Sequence, residues 1–335
     1  MNTQWYPLKF DPIYQYRLWG GRKLENLLSK PLPADEPIGE AWILSDRTDH
    51  ASQVSEGPLK GHTITQLMHD YPQDVMGKLD GQFDHFPLLL KFLDCKETVS
   101  VQVHPSDDQK KYIPQGDSGK TEAWVVLETG NDSRVYAGLT PETNEQNLRE
   151  AIQNNAVAER LHSFIPTVGD AVFIHSGTVH TLGGTVVFEV QENSDVTFRL
   201  YDWDRTDPKT GKHRDLQVDE ALACIDFDQV AIGPVKPVTD SHHPNREKVF
   251  DDAHFVLWRT KSLSAFTVGV ADEPRILVCT DGGGKLVYNG NDYGIHKGDV
   301  MLLPAVVGPC SGEPDEQITF MEIAIPGSHP SAKPS

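Results

Sequence analysis

Alternation of apolar and polar positions dominates the chain and predicts strands. In "TVSVQVHPSDDQKKY" (98–112) valine recurs every second residue, so Val99, Val101 and Val103 share one strand face, and Ser100, Gln102 and His104 share the other. Strand-like segments punctuated by glycine, proline and Asn/Asp turns continue in "TEAWVVLET" (121–129), "DAVFIHSGTVH" (170–180), "GTVVFEVQ" (184–191) and "DVTFRLYDWD" (195–204). More strands are expected later in "VFDDAHFVLWRTKSL", "RILVCTDGGGKLVYNG", "HKGDVMLLPAVVG" and "QITFMEIAI". Helical spacing appears in "TPETNEQNLREAIQNNAVAERL", where Leu148 and Ile152 sit four apart. Thr140 is the expected N-cap there, with Pro141 as the first helical residue. A second helix is predicted over 215–225. "LWGGRKL" predicts a tight turn into a helix. "DGGGK" (281–285) lacks the spacing and following helix of a phosphate loop and predicts a hairpin turn.

The stretch 228–248 carries three prolines and little apolar periodicity, which predicts a connection between two domains, 1–235 and 236–335. "SHHP" (241–244) lies in it and is expected to be solvated. "VGDAVFIHSGTVH" and "KGDVMLLPAVVG" both run Gly-Asp, apolar strand, then turn, so two related β-barrels are expected, the second without a histidine. The predicted fold is mainly β.

Composition narrows the function. The 335 residues include 30 Lys plus Arg and 49 Asp plus Glu, a net charge of −19. That balance argues against a nucleic-acid or anionic-membrane partner, which needs a basic face. An anionic small molecule needs only two or three local cations. The start, "MNTQWYPLKFDP", has no signal-peptide pattern, and runs such as "FPLLLKFL" are far shorter than the ~20 residues of a membrane helix. The four cysteines are scattered. A cytoplasmic protein is expected.

Gln102, His104, Glu122 and His180 each fall in or at the end of a predicted strand and together offer two nitrogens and two oxygens. A divalent zinc accepts such a set; equally, these are polar strand-face residues bonded to backbone. A hairpin loop over 192–196 would set Glu189 opposite Arg199, either as a structural pair or with Arg199 serving an anion. Such pairing would lower the Glu189 pKa. Arg205 would supply a second cation. Lys120 is either a solvated loop charge or, beside a metal, a group that binds substrate or moves a proton.

With these motifs in order, the chain resembles the type I mannose-6-phosphate isomerases (phosphomannose isomerases), in their short bacterial form. The resemblance rests on "LWGGRKL", "GEAWILSD", "FPLLLKFLDCKETVSVQVHPSD", "GKTEAW", "GDAVFIHSGTVH" and "ENSDVTFRLYDWDR". It implies two cupin-like (jelly-roll) β-barrels with a few covering helices and one Zn²⁺ per chain, held by Gln102, His104, Glu122 and His180. It also implies a catalytic Arg199, with Lys120 and Arg205 beside the substrate, and a C-terminal barrel without metal ligands. The implied reaction interconverts mannose 6-phosphate and fructose 6-phosphate through a cis-enediol, in a monomer or homodimer. Glu189, Lys120, His175 and metal-bound water are the candidate bases. His175 departs from the proline common in cupin motifs. The alternatives are an isomerase of another sugar or sugar phosphate, a non-catalytic sugar-binding cupin, and a metal-dependent dioxygenase, against which Gln102 stands where a histidine is usual.

Overall fold

The computed structural model describes residues 3–33, 35–241 and 243–327. Two curled antiparallel sheets hold most of the strands. The first runs in the order Ala171–Ile174, Glu122–Leu139, His180–Glu192, Leu88–Cys95, Ile38–Leu44, Ile13–Gly21. The short strand Val101–Val103 pairs with the start of His180–Glu192 and with Phe198–Tyr201. The second sheet runs Leu8–Lys9, Val300–Leu303, Arg275–Tyr288, Cys310–Ala324, Val256–Ser262, Arg246–Asp251, Val238–Thr239. An N-terminal strand thus completes a sheet otherwise built from the last third of the chain.

Apolar alternation decides which faces meet. Val101 and Val103 pack with Leu148, Leu200 and Leu222 beneath the helices, as their shared face requires. Val99 precedes the strand and joins a different cluster, with Trp19 and Trp124. The largest cluster is continuous across both sheets: Phe92, Val125 and Phe188 from the first meet Phe250, Phe255 and Ile323 from the second. Phe173 marks the joint, its ring 5.4 Å from Phe250 and 5.6 Å from Phe255.

Three local expectations change. The middle helix spans Glu145–Gln153 and is capped by Asn144, whose side chain accepts from the Asn147 amide while the Asn147 side chain accepts in return. Thr140 bonds Thr143 Oγ1 at 2.7 Å instead; a reciprocal box satisfies two orphan amides, which one threonine cannot. "DGGGK" is no hairpin turn. It lies inside Arg275–Tyr288, where the register shifts and Gly282 adopts φ +72°, and a Cβ there would strike the Gln317 carbonyl. The glycines bend a long strand. Nor do Glu189 and Arg199 face one another: Glu189 pairs with Lys91 and Trp124, Arg199 with Gln102. Strand Phe198–Tyr201 crosses to Val101–Val103 instead of folding back on its predecessor. "LWGGRKL" does lead from a strand ending at Gly21 into the helix Leu24–Leu28. In "SHHP", His243 is exposed and His242 lies outside the described residues. No helix among the described residues is long and apolar enough to cross a membrane.

Because Phe255 is fully buried at this joint, Phe255→Ala is expected to cost about 3–5 kcal/mol. Chemical denaturation should show the loss as a lower midpoint at unchanged slope.

Candidate metal centre and its cavity

Three strand ends converge below Trp124. His104 follows Val101–Val103, Glu122 opens Glu122–Leu139, and His180 opens His180–Glu192. All three are buried, and one ligand atom from each lies within 4.8 Å of the others. His180 Nε2 is 3.3 Å from Glu122 Oε1, and His104 Nε2 is 3.4 Å from Glu122 Oε2. Tetrahedral coordination with bonds of about 2.0–2.1 Å requires ligand atoms roughly 3.3–3.4 Å apart.

Each imidazole is fixed through its Nδ1. His104 Nδ1 donates to the Val196 carbonyl at 2.8 Å and His180 Nδ1 to the Thr178 carbonyl at 2.9 Å. A carbonyl only accepts, so Nδ1 carries the proton and the Nε2 lone pairs turn toward Glu122. Burial, then Lys120, pulls His104 down to about 3, and burial also lowers His180. Both shifts favour the neutral imidazole, the form that binds a metal. Burial alone would raise the Glu122 carboxyl, but Lys120 and His104 outweigh it and hold it well below the usual range. Neither Glu122 oxygen has a hydrogen bond of adequate geometry, although Lys120 Nζ stands 2.8 Å from Oε2 as an ion pair. A buried, ionised and under-bonded carboxylate between two neutral imidazoles fits a divalent cation.

Gln102 and Lys120 stand between this trio and an adjoining cavity of about 430 Å³, whose walls include both. Gln102 Nε2 lies 3.2 Å from His180 Nε2, and the opposite amide orientation would offer its oxygen to the same point. Lys120 Nζ also reaches His104 Nε2 at 3.3 Å. Burial would depress this lysine, but Glu122 and Glu189 raise it, so it is an ammonium.

The cavity is rich in cations despite the acidic chain. Arg199 donates to Ser100 Oγ at 3.2 Å and the Asp215 carbonyl at 2.9 Å, and it makes no ion pair among the described residues. Burial, then Arg214, pulls it down to about 10. Arg17 and Arg214 line the same space. Arg205 does not. It is occupied by the Thr98 carbonyl at 2.6 Å and Asp202 Oδ1 at 2.6 Å. Glu189 lines the cavity, accepts from Trp124 Nε1 at 3.0 Å and stands 3.4 Å from Lys91. Burial and then Glu122 raise its pKa, the reverse of what pairing with Arg199 would do. His175 is exposed on the outer side, its ring 4.5 Å from that of Phe173.

Residues 8–128 match the family model for the phosphomannose isomerase type I catalytic domain. A probable mannose-6-phosphate isomerase of Bacillus subtilis (GmuF) is 33% identical, over 90% of this chain and 95% of its own. The chain belongs to the type I mannose-6-phosphate isomerase family. That family comprises aldose–ketose isomerases, and the family's catalytic domain is present here. A second relative, the mannose-6-phosphate isomerase ManA of B. subtilis, is 32% identical over 92% of this chain and 95% of its own. The crystal structure of a B. subtilis mannose 6-phosphate isomerase superposes with a TM-score of 0.86 at 28% identity, covering 95% of this chain and 99% of that one. The fold is that of the cupins. The matched isomerase segment contains Arg17, Glu40, Lys91, Gln102, His104, Lys120 and Glu122, whereas Glu189, Arg199 and Arg214 lie beyond it.

Arg17, Lys91 and Arg214 were not singled out from sequence. Arg17 directly precedes "LWGGRKL", which was read only as a turn into a helix, and it falls in the strand Ile13–Gly21. Arg17 grips Glu40 through two bonds, Nε to Oε1 at 2.8 Å and Nη2 to Oε2 at 3.1 Å. Burial alone would raise Glu40, but Arg17 and Lys91 bring it down to about 2. A carboxyl depressed on folding stabilises fully above its unfolded value of about 4.3 and loses that contribution as pH falls toward 2. Between pH 5 and 3, denaturant titrations should show the native protein losing roughly 1.5 kcal/mol more than Glu40→Gln.

Proposed function

We propose that the chain interconverts mannose 6-phosphate and fructose 6-phosphate through a cis-enediol, with one zinc ion held by His104, Glu122 and His180. Gln102 supplies the amide oxygen at the open side. The observation that carries this proposal is the adjacency of two unlike features: a buried trio of metal-competent donors, and a cavity in which Arg199 has no acidic partner among the described residues. When bound, zinc supplies a fixed positive charge that stabilises the enediolate as the proton beside the carbonyl departs.

The chain's own groups do the remaining work. Arg199, Arg214 and Arg17 repel one another across the cavity, and a phosphate between them relieves that repulsion while accepting paired hydrogen bonds. This anchoring keeps the reacting carbons near their proton carrier. Glu189 and Lys120 both line the cavity, and their surroundings separate their roles. Glu189, with its pKa raised, takes the C2 proton and returns it to C1. The Lys120 ammonium donates to the substrate oxygens. Arg205 holds the loop that carries Asp202, which in turn fixes Arg214 through Nε at 2.8 Å. Its contribution is to position Arg214.

A coupled assay on mannose 6-phosphate and on free mannose, before and after chelation, tests the proposal. Turnover of the phosphate ester alone, abolished by chelator and restored by zinc, is expected. Turnover of free mannose would shift the assignment to another sugar isomerase. Arg214→Ala is expected to raise KM about 10–100-fold with unchanged zinc content, whereas Glu189→Gln should lower kcat roughly 10²–10⁴-fold.

A further inference from the structure

A second group of donors lies outside the cavity, where a loop of the second sheet meets the first. His254 stands between Arg246–Asp251 and Val256–Ser262. Its Nε2 is 3.4 Å from Glu192 Oε1 and 4.0 Å from Asp107 Oδ2, and one ligand atom from each of the three residues lies within 4.8 Å of the others. The opposite ring nitrogen, Nδ1, is 2.7 Å from Asp252 Oδ1. A carboxylate behind a histidine that turns its other nitrogen toward oxygen donors is the arrangement that orients imidazole on a metal.

Glu192 supplies an independent sign. It is 1% exposed, and its Oε2 has no hydrogen-bond partner. Oε1 is already engaged by the Thr121 amide at 2.7 Å. A buried carboxylate oxygen without a partner is costly unless a cation or donor meets it. Access exists on the third side, because Asp107 forms part of the wall of an open cleft with Lys110, Pro114 and Asp117.

We infer that Asp107, Glu192 and His254 form a second binding site for a divalent transition-metal cation, distinct from the centre at Glu122. One nitrogen and two carboxylate oxygens suit zinc or manganese. The site's effect follows from what its ligands already hold. Asp107 Oδ1 accepts from the Gly119 amide at 2.8 Å, and Glu192 clasps Thr121 through both its carboxylate and its backbone amide. Lys120 lies between those residues and Glu122 follows them. A cation here staples the loop of the second sheet to the segment that carries Lys120 and Glu122, which gives that sheet a task in the isomerase.

Zinc binding to the full chain tests this directly, without reference to turnover. Protein stripped by chelator and dialysed against graded zinc is analysed for metal per chain. The wild type should saturate at two zinc ions, and His254→Ala and Asp107→Asn at one. His180→Ala should also bind one, the ion held at Glu192. Asp107→Asn keeps the side-chain shape and serves if His254→Ala fails to fold. Saturation of the wild type at one ion, or two ions retained by Asp107→Asn, would overturn the inference and leave the cluster as an ion pair around a protonated His254.

Discussion

A carboxylate buried without adequate hydrogen bonds sets the terms for this structure. Glu122 is fully enclosed, and an ion in that position is tolerated only if opposite charge or metal meets it. Everything near it answers that demand. Two imidazoles are held by backbone carbonyls so that their lone pairs face it, Lys120 brings an ammonium, and Gln102 closes the side toward the cavity. These groups come from strand ends far apart in sequence, so the sheet must be in register before the centre exists. Antiparallel pairing of His180 with Gln102, and of Gln191 with Glu122, fixes that register.

The same electrostatics explain the cavity. Lys91 is shared between Glu189 and Glu40, and Glu40 is shared between Lys91 and Arg17. This chain of buried pairs leaves Arg199 over, its guanidinium hydrogen-bonded among the described residues only to a hydroxyl and a carbonyl. An acidic protein thereby offers an anion a local concentration of guanidinium groups. Net charge governs the outer surface; the pocket is governed by which cations lack partners.

Much of this was legible in the sequence, and what was missed has physical reasons. Gln102, His104, Glu122 and His180 stood out because polar residues interrupt strands whose other face is apolar, and the structure brings all four together. Their roles, however, came from family resemblance, since spacing alone also fits strand-face residues bonded to backbone. Glu189 and Arg199 were set opposite each other because residues 192–196 look like a short loop. The chain instead crosses to a strand almost a hundred residues earlier, a non-local pairing that no local pattern encodes. Arg205 looked like the second cation by its position, yet Asp202 and the Thr98 carbonyl take up its donors. Arg214 sits in a polar stretch with no strand period and gave no signal. The bend at Gly282 was hidden because a glycine run reads as a turn whether the strand ends or merely kinks.

The measurement that tests the central claim most directly is anomalous diffraction at the zinc edge from crystals of the zinc-loaded protein. A peak about 2.0–2.2 Å from His104 Nε2, His180 Nε2 and a Glu122 oxygen, with Gln102 turned toward it and Lys120 facing the cavity, is the predicted result. Anomalous density absent from that point in zinc-loaded, active crystals would contradict the account, because the buried Glu122 charge would then serve only the ion pair with Lys120.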